Sequence, residues 1–294
     1  MKDLTDSELP ARKSSAQSRE LGAELRQIRR TAGYRANKLA EELGWSQAKV
    51  SKLERGWRGT SSWDIATLLG RCGVDKLTRD RIMRLVREPQ VGLFLRTHKP
   101  GFPDALICLD IHEPEAVRRS CYEPVVIPTM LQTSQYASAL LEPLSESSDE
   151  LCSMVKIRAN RQSLLQANSD MESVFYIREQ VLDLMVGGAK IMHDQMKLLA
   201  FACGWEKVAL RLIPAAARGQ IVTRYPATLL NFSKGLSPLG FTGNDVSVVF
   251  AEAEPLVDEY RKKFAILDSM ALSVEQSCRI FEERADGYGS DIFA

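Results

Sequence analysis

The sequence predicts an all-α front domain of five short helices followed by a larger α+β domain. Three observations predict it. From residue 19 to 89, apolar residues recur at helical spacing in short segments closed by Gly33, Gly44, Gly56 and Pro89. Beyond residue 105, β-rich runs such as SVFYI and VSVVFAE intermix with helical patterns without a regular βαβ repeat. The charge divides at the same place: Met1 to Gln90 holds 19 Lys/Arg against 12 Asp/Glu, and the remainder 20 against 26. A basic front on an acidic body implies a polyanionic partner for the front alone.

With 294 residues, 45% hydrophobic and 26% charged, the chain has the composition of a globular protein and room for two domains. Its apolar runs, such as LLAFACGW, fall short of the roughly 20 residues a membrane span needs. The opening MKDLTDSELPARKSSAQS is polar and mixed in charge, unlike a secretory signal. A cytoplasmic, nucleoid-associated location without a membrane partner is expected. The six cysteines are scattered without a C-x-x-C pair, and of the three histidines His112 alone lies close to one, four residues after Cys108. No metal site or cofactor is therefore expected, and the thiols read as small apolar residues.

Residues 1–18 read as a disordered tail, with Pro10 and a serine cluster. Residues 19–89 form the front domain. Leu21, Leu25 and Ile28 mark its first helix, ended at Gly33; Leu39, Ala40 and Leu43 mark the second, stopped by Gly44. Ser46 caps the third, which Gly56 closes. WDIATLLGRC and DKLTRDRIMRLVRE supply the fourth and fifth. Residues 90–104, rich in proline and glycine, read as a linker. In the second domain, residues 105–285, DALICLDIHEPEAV, LQTSQYASALL, 149–167, QVLDLMV, 190–203, 255–270 and 273–283 read as helices. SCYEPVVIP, SVFYI, KVALRLIP, PATLLNF and VSVVFAE read as strands, and residues 286–294 as a loose tail.

The second and third helices, joined by a turn in which Gly44 accepts the left-handed backbone, make a helix-turn-helix. Trp45 is expected to plug that turn against the core. In such a unit the second helix enters the major groove of double-stranded DNA and reads with its N-terminal residues. Val50 and Leu53 point inward, leaving Ser46, Gln47, Ala48, Lys49 and Lys52 outward. Gln47 suits adenine and Lys52 guanine. Lys49, Arg55 and Arg58 are placed as phosphate partners. One unit covers few base pairs, so specific function implies a homodimer on a two-part operator.

LRQIRRTAGY, LAEELG and SQAKVSKLERG together resemble the XRE family of phage-repressor-like regulators over residues 20 to 88. That resemblance implies that Arg29 pairs with Glu54 as a structural ion pair, outside the DNA contacts. Members commonly open the second helix with serine-glutamine; here Arg35-Ala36 stands instead, and Arg35 is expected to take over the phosphate contact.

YEPVVIPTMLQTSQYA, RANRQSLL, REQVLDLMVGG, DQMKLLA, LRLIP and AILDSMALSVEQS resemble, in order, a domain of unknown function that follows XRE helices in actinobacterial regulators, including the WhiJ-like group. Members commonly have glycine-leucine where this chain has Thr129-Met130. The resemblance implies a regulator whose large domain receives a signal, often with a small acidic partner protein. No hydrolase, nucleotide-loop or metalloprotease motif is present in the sequence, so no catalytic residue and no enzyme is expected. The candidate ligand or partner residues are polar groups among apolar neighbours: Gln132 and Tyr136, four apart on one helix, and Arg158, Arg161 and Gln162 with Glu179 as a candidate carboxylate. The reading is a sequence-specific transcriptional regulator, with repression the expected direction, controlled by a small-molecule signal or an acidic protein. The alternative keeps the fold but has the basic front grip an acidic protein.

Overall fold

The computed structural model describes residues 14–57, 61–97, 104–167, 170–217, 222–233, 235–244 and 246–292. Helices α1 (Ala16–Thr31), α2 (Ala36–Glu42), α3 (Gln47–Glu54), α4 (Ser62–Arg71) and α5 (Lys76–Arg87) build the front domain. Leu25, Leu39, Leu53, Ile65, Leu68, Leu69 and Ile82 close its core. Capping defines the starts: the hydroxyls of Ser15, Ser46 and Ser61 and the carboxylate of Asp75 each accept a backbone N–H of the first turn they precede. The end of α3 lies against α1 so closely that a Cβ on Gly22 would come within 2.7 Å of the Gly56 nitrogen.

The body continues with β1 (Leu93–Thr97), α6 (Asp104–His112), β2 (Ala116–Glu123), α7 (Ser134–Leu141), α8 (Ser148–Ala167) and β3 (Glu172–Arg178). Then follow α9 (Ala189–Ala202), β4 (Val208–Ile213), β5 (Ala227–Phe232), β6 (Leu239–Gly243), β7 (Ser247–Ala251), α10 (Glu254–Met270) and α11 (Val274–Asp291). The described strands form one sheet of order β1-β7-β6-β5-β2-β3-β4. β2, β3 and β4 run parallel, and the rest pair antiparallel. Side chains alternate across it. Phe175, Leu210 and Leu212 face a core completed by Met192, Met196 and Leu199 of α9 and Phe281 of α11. Tyr122, Tyr176 and Leu229 face α10 through Val257, Phe264 and Leu267. This is the helical front and α+β body that the patterning predicts.

Several boundaries differ from the sequence reading, each for a local reason. α1 starts inside the segment expected to be a tail, because Ser15 caps it and the Ala16 N–H donates to Glu252 Oε2 at 2.8 Å. The expected linker supplies β1, which pairs with β7 from Leu93↔Ala251 to Thr97↔Ser247. Pro114 ends α6 and leaves a 3-10 turn at Glu113–Glu115. β2 then starts at Ala116 and stops before Pro124, so VVIP is not strand. QVLDLMV makes a short 3-10 turn at Glu179–Asp183. β6 in the glycine-bearing LGFTG had no place in the sequence reading, and α11 runs on to Asp291.

The two domains share α1. Its C-terminal half lies in the front core, while its N-terminal half is sunk into the body. Glu20, 1% exposed, accepts from Arg96 of β1 at 2.7 and 2.6 Å. Arg96 also reaches Glu88 at 2.9 Å. Burial would lower the Arg96 guanidinium, but these two carboxylates hold it above its usual value. Arg19 stacks on Phe232 at 5.2 Å and lies 3.6 Å from Glu252.

Candidate nucleic-acid interface

Helix α3 turns one face to solvent because its other face is occupied. Val50 and Leu53 are buried, and Glu54 is held from behind. Arg29 donates from Nε and Nη2 to the two Glu54 oxygens at 2.5 and 3.0 Å, and from Nη1 to the Tyr34 carbonyl at 2.6 Å. Arg26 approaches the same carboxylate at 3.5 Å. The bond to Glu54 raises the Arg29 guanidinium against the opposing pull of burial. Arg29 and Glu54 thus fix the pose of α3 on α1 and are withdrawn from its outer surface.

Ser46 caps α3, its hydroxyl accepting the Lys49 N–H at 3.2 Å. Gln47, Ala48, Lys52 and Arg55 are exposed and, with Ser51 and Trp57, surround a shallow hollow on the outer face. The Lys52 amine lies 6.0 Å from the centre of the Trp57 ring. Arg35 is exposed at the N-cap of α2 and makes no side-chain capping bond there. Trp45 is half-buried on the front core. Arg58 lies outside the described residues.

Lys49 departs from the role read for it. Its Nζ sits 2.7 Å from Asp64 of α4 and 4.1 Å above the Trp45 ring, so here it ties two helices together rather than standing free for a phosphate. Sequence reasoning had no hold on this pairing, because Asp64 belongs to another helix. It also passed over Trp57 and Trp63, 52% and 78% exposed, whose signal was the WRGTSSW stretch beside α3.

In the body, the candidate polar residues divide. Tyr136 is buried, with its hydroxyl 3.5 Å from the Ile127 N–H, and Gln132 donates to the Ile127 carbonyl at 2.7 Å. Gln162 donates to the Gln132 carbonyl at 3.3 Å. These three brace the 127–136 turn. Glu179 accepts the Ala215 N–H at 2.8 Å and is not the partner of the arginines. The carboxylate that Arg161 meets is Glu113, at 2.6 and 3.0 Å, a residue the sequence reading did not single out. Burial alone would raise the Glu113 carboxyl, but Arg161 and Arg119 hold it below the usual range.

Arg158 and Arg161 line a cavity of about 520 Å³ between α8 and the sheet. Met154, Ile157, Arg158 and Arg161 recur at the 3–4 spacing of one helix face, and Arg119, Cys121 and Glu123 at the two-residue spacing of one sheet face. Burial pushes the Glu123 carboxyl up to about 7. Among the described residues no cluster of three or more metal-ligating side chains forms, and no helix is long and apolar enough to cross a membrane.

Two family models match the chain. Residues 109–283, more than half of the chain, match the family model described as a domain of unknown function, DUF5753. Residues 20–82 match a helix-turn-helix domain. Among solved structures, the crystal structure of the clp gene regulator ClgR from C. glutamicum is 28% identical over 26% of this chain and 92% of that chain, with a TM-score of 0.21. No curated protein matches.

Proposed function

Since this chain belongs to the DUF5753 family and carries a helix-turn-helix domain ahead of that body, we propose that it is a sequence-specific transcriptional regulator of the XRE type. It acts as a homodimer on a two-part operator, with repression the expected direction. Its body receives a small-molecule signal or a small acidic partner, as in the WhiJ-like regulators it resembles. The observation that carries this reading is the outer face of α3. Gln47, Ala48, Lys52 and Arg55 are exposed on a helix whose pose is locked from behind by Arg29 and Glu54. A locked helix with a polar, cationic face satisfies what major-groove reading requires, since base contacts need fixed orientation.

Within this reading Gln47 and Lys52 supply base contacts, and Arg35 and Arg55 hold phosphates. Lys49 would first have to leave Asp64. A signal acts only if it binds two arrangements of the heads with different affinity. The test is selection of a random duplex library on the full chain, repeated with Gln47→Ala and Lys52→Ala. An enriched two-part site, relaxed at particular bases by each substitution, supports the reading. Folded protein that enriches nothing sinks it and leaves the acidic-protein partner as the reading to pursue.

A further inference from the structure

The cavity under α8 holds guanidinium donors that its own carboxylates do not meet. Arg119 is 1% exposed, yet its Nε and Nη2 have no hydrogen-bond partner among the described residues. Its Nη1 meets only the Met130 sulfur, at 2.7 Å, and thioether sulfur is a weak acceptor. The nearest carboxylate, Glu113, lies 3.4 Å from Arg119 Nη2 and is already clasped by both donors of Arg161. Arg158 makes no hydrogen bond or ion pair among the described residues, and its Nε is buried and unpartnered. Burial and the neighbouring Arg161 pull the Arg158 guanidinium below its usual value, as expected of a cation short of counter-charge.

Buried polar groups without partners are costly, so a wall of them marks a place where an outside group completes the bonding. The apolar part of the lining is Leu109 of α6, Met154 and Ile157 of α8, and Phe241 of β6. Glu150, Thr129, Thr228, Thr242 and Asn244 also line it, and Glu150 accepts the Glu146 N–H at 2.7 Å. Glu123 shares the cavity, but its raised carboxyl is largely protonated below neutrality and does not cancel the arginines there. We propose that this cavity binds a small amphiphilic anion, its carboxylate or phosphate head against Arg158 and Arg119 and its apolar body along Leu109, Met154, Ile157 and Phe241. Guanidinium forks fit either head. About 520 Å³ is the size of pocket that encloses a small organic ligand.

The cavity wall is also the support of the DNA-facing domain. Leu106 and Leu109 belong to α6, which packs on α1, and Val248 of β7 is paired with Arg96, which holds Glu20. An occupant therefore bears on the elements that carry α1. This consequence rests on the regulator reading; the binding itself does not.

The experiment is calorimetric titration of the full chain with decanoate, decyl phosphate, decanol and decyltrimethylammonium, in the native protein, Arg158→Met and Met154→Trp. Either or both anions should bind one per chain, at least tenfold tighter than decanol and the cation. Arg158→Met should weaken the anion tenfold or more, and Met154→Trp should block it by filling the cavity. Arg158→Met removes an unpaired cation and should keep its melting temperature. Should it unfold, Met154→Trp alone decides the location. The tighter of the two anions identifies the head group. Decanol binding as well as decanoate, neither anion binding, or unchanged affinity in both variants would overturn the assignment. Adding the bound anion to an operator titration is a separate arm: unchanged DNA affinity would end the control role and leave the cavity assignment standing.

Discussion

Glu20 of α1 accepts two charge-assisted hydrogen bonds from Arg96 of β1, at 2.7 and 2.6 Å, and both side chains are almost fully withdrawn from solvent. One residue belongs to the helix that carries the DNA-facing domain, the other to the edge strand of the body. Arg96→Met should destabilise the folded protein by about 3–5 kcal/mol, because it strands a buried carboxylate. Glu20→Gln combined with Arg96→Met should cost clearly less than the sum of the single changes. Urea denaturation of the four proteins measures this, and strictly additive losses would remove the pair from the account of how the domains are joined.

Gly22 has no room for a methyl group. A Cβ there would press on the Glu54 carbonyl at 2.8 Å and the Gly56 nitrogen at 2.7 Å. Both are backbone atoms, so the end of α3 must move. Gly22→Ala should cost about 1–3 kcal/mol and weaken operator binding together with stability. A variant as stable as the native protein in thermal melts would show that α3 is not seated on α1 as described.

Lys49 and Lys52 lie one helical turn apart on α3 and should part company on mutation. Lys49→Met breaks a partly exposed pair with Asp64 and should lower stability by up to about 1 kcal/mol, with little change in base preference. Lys52→Ala should leave the melting temperature unchanged and relax one operator position by about 1–3 kcal/mol. Ser46→Ala removes the cap of α3 and should cost about 0.5–2 kcal/mol. Thermal melts paired with binding to a panel of single-base operator variants separate the three.

Glu123 gives the body a pH dependence. Its carboxyl is raised to about 7 by burial, against the opposing pull of Arg161. A raised acid binds its proton more tightly folded than unfolded, so its contribution to stability is full below the ordinary carboxyl range and is lost as pH rises through about 7. Glu123→Gln should therefore gain about 1–3 kcal/mol on the native protein between pH 5 and pH 8. Denaturant melts at the two pH values check it; a constant difference would mean that Glu123 is not buried against its ionisation.

The front domain was legible because its signals are local. Ser46, Gly44, Gly56 and the spacing of Leu39, Val50 and Leu53 specify helices, turn and inward face within one stretch of 18 residues. In the body, the helices of 149–167 and 190–203 and most strands were also legible from apolar pattern. What escaped depends on distant partners. LFLRT became strand because β7 offered it an edge, not because its prolines and glycines favour one. Glu113, 48 residues from Arg161, could not be matched to it by spacing. Arg158 and Arg161 were legible as polar groups on α8, but Arg119, which joins them at the cavity, stands on β2 and had no local signal. Lys49 read as free because nothing near it in sequence competes for it.

The pairing of β1 with β7 also has a consequence in time. Leu93 waits for Ala251, and Ala16 for Glu252, so a chain made at about 5–20 residues per second completes its front helices on the order of 10–30 s before their anchorage exists. During that interval β1 is an unpaired edge, open to the wrong strand. Until residues 247–252 are made, the front helices lack the part of their anchorage that runs through β7 and Glu252. A chain cut short before residue 247 lacks every β7 residue with which β1 pairs.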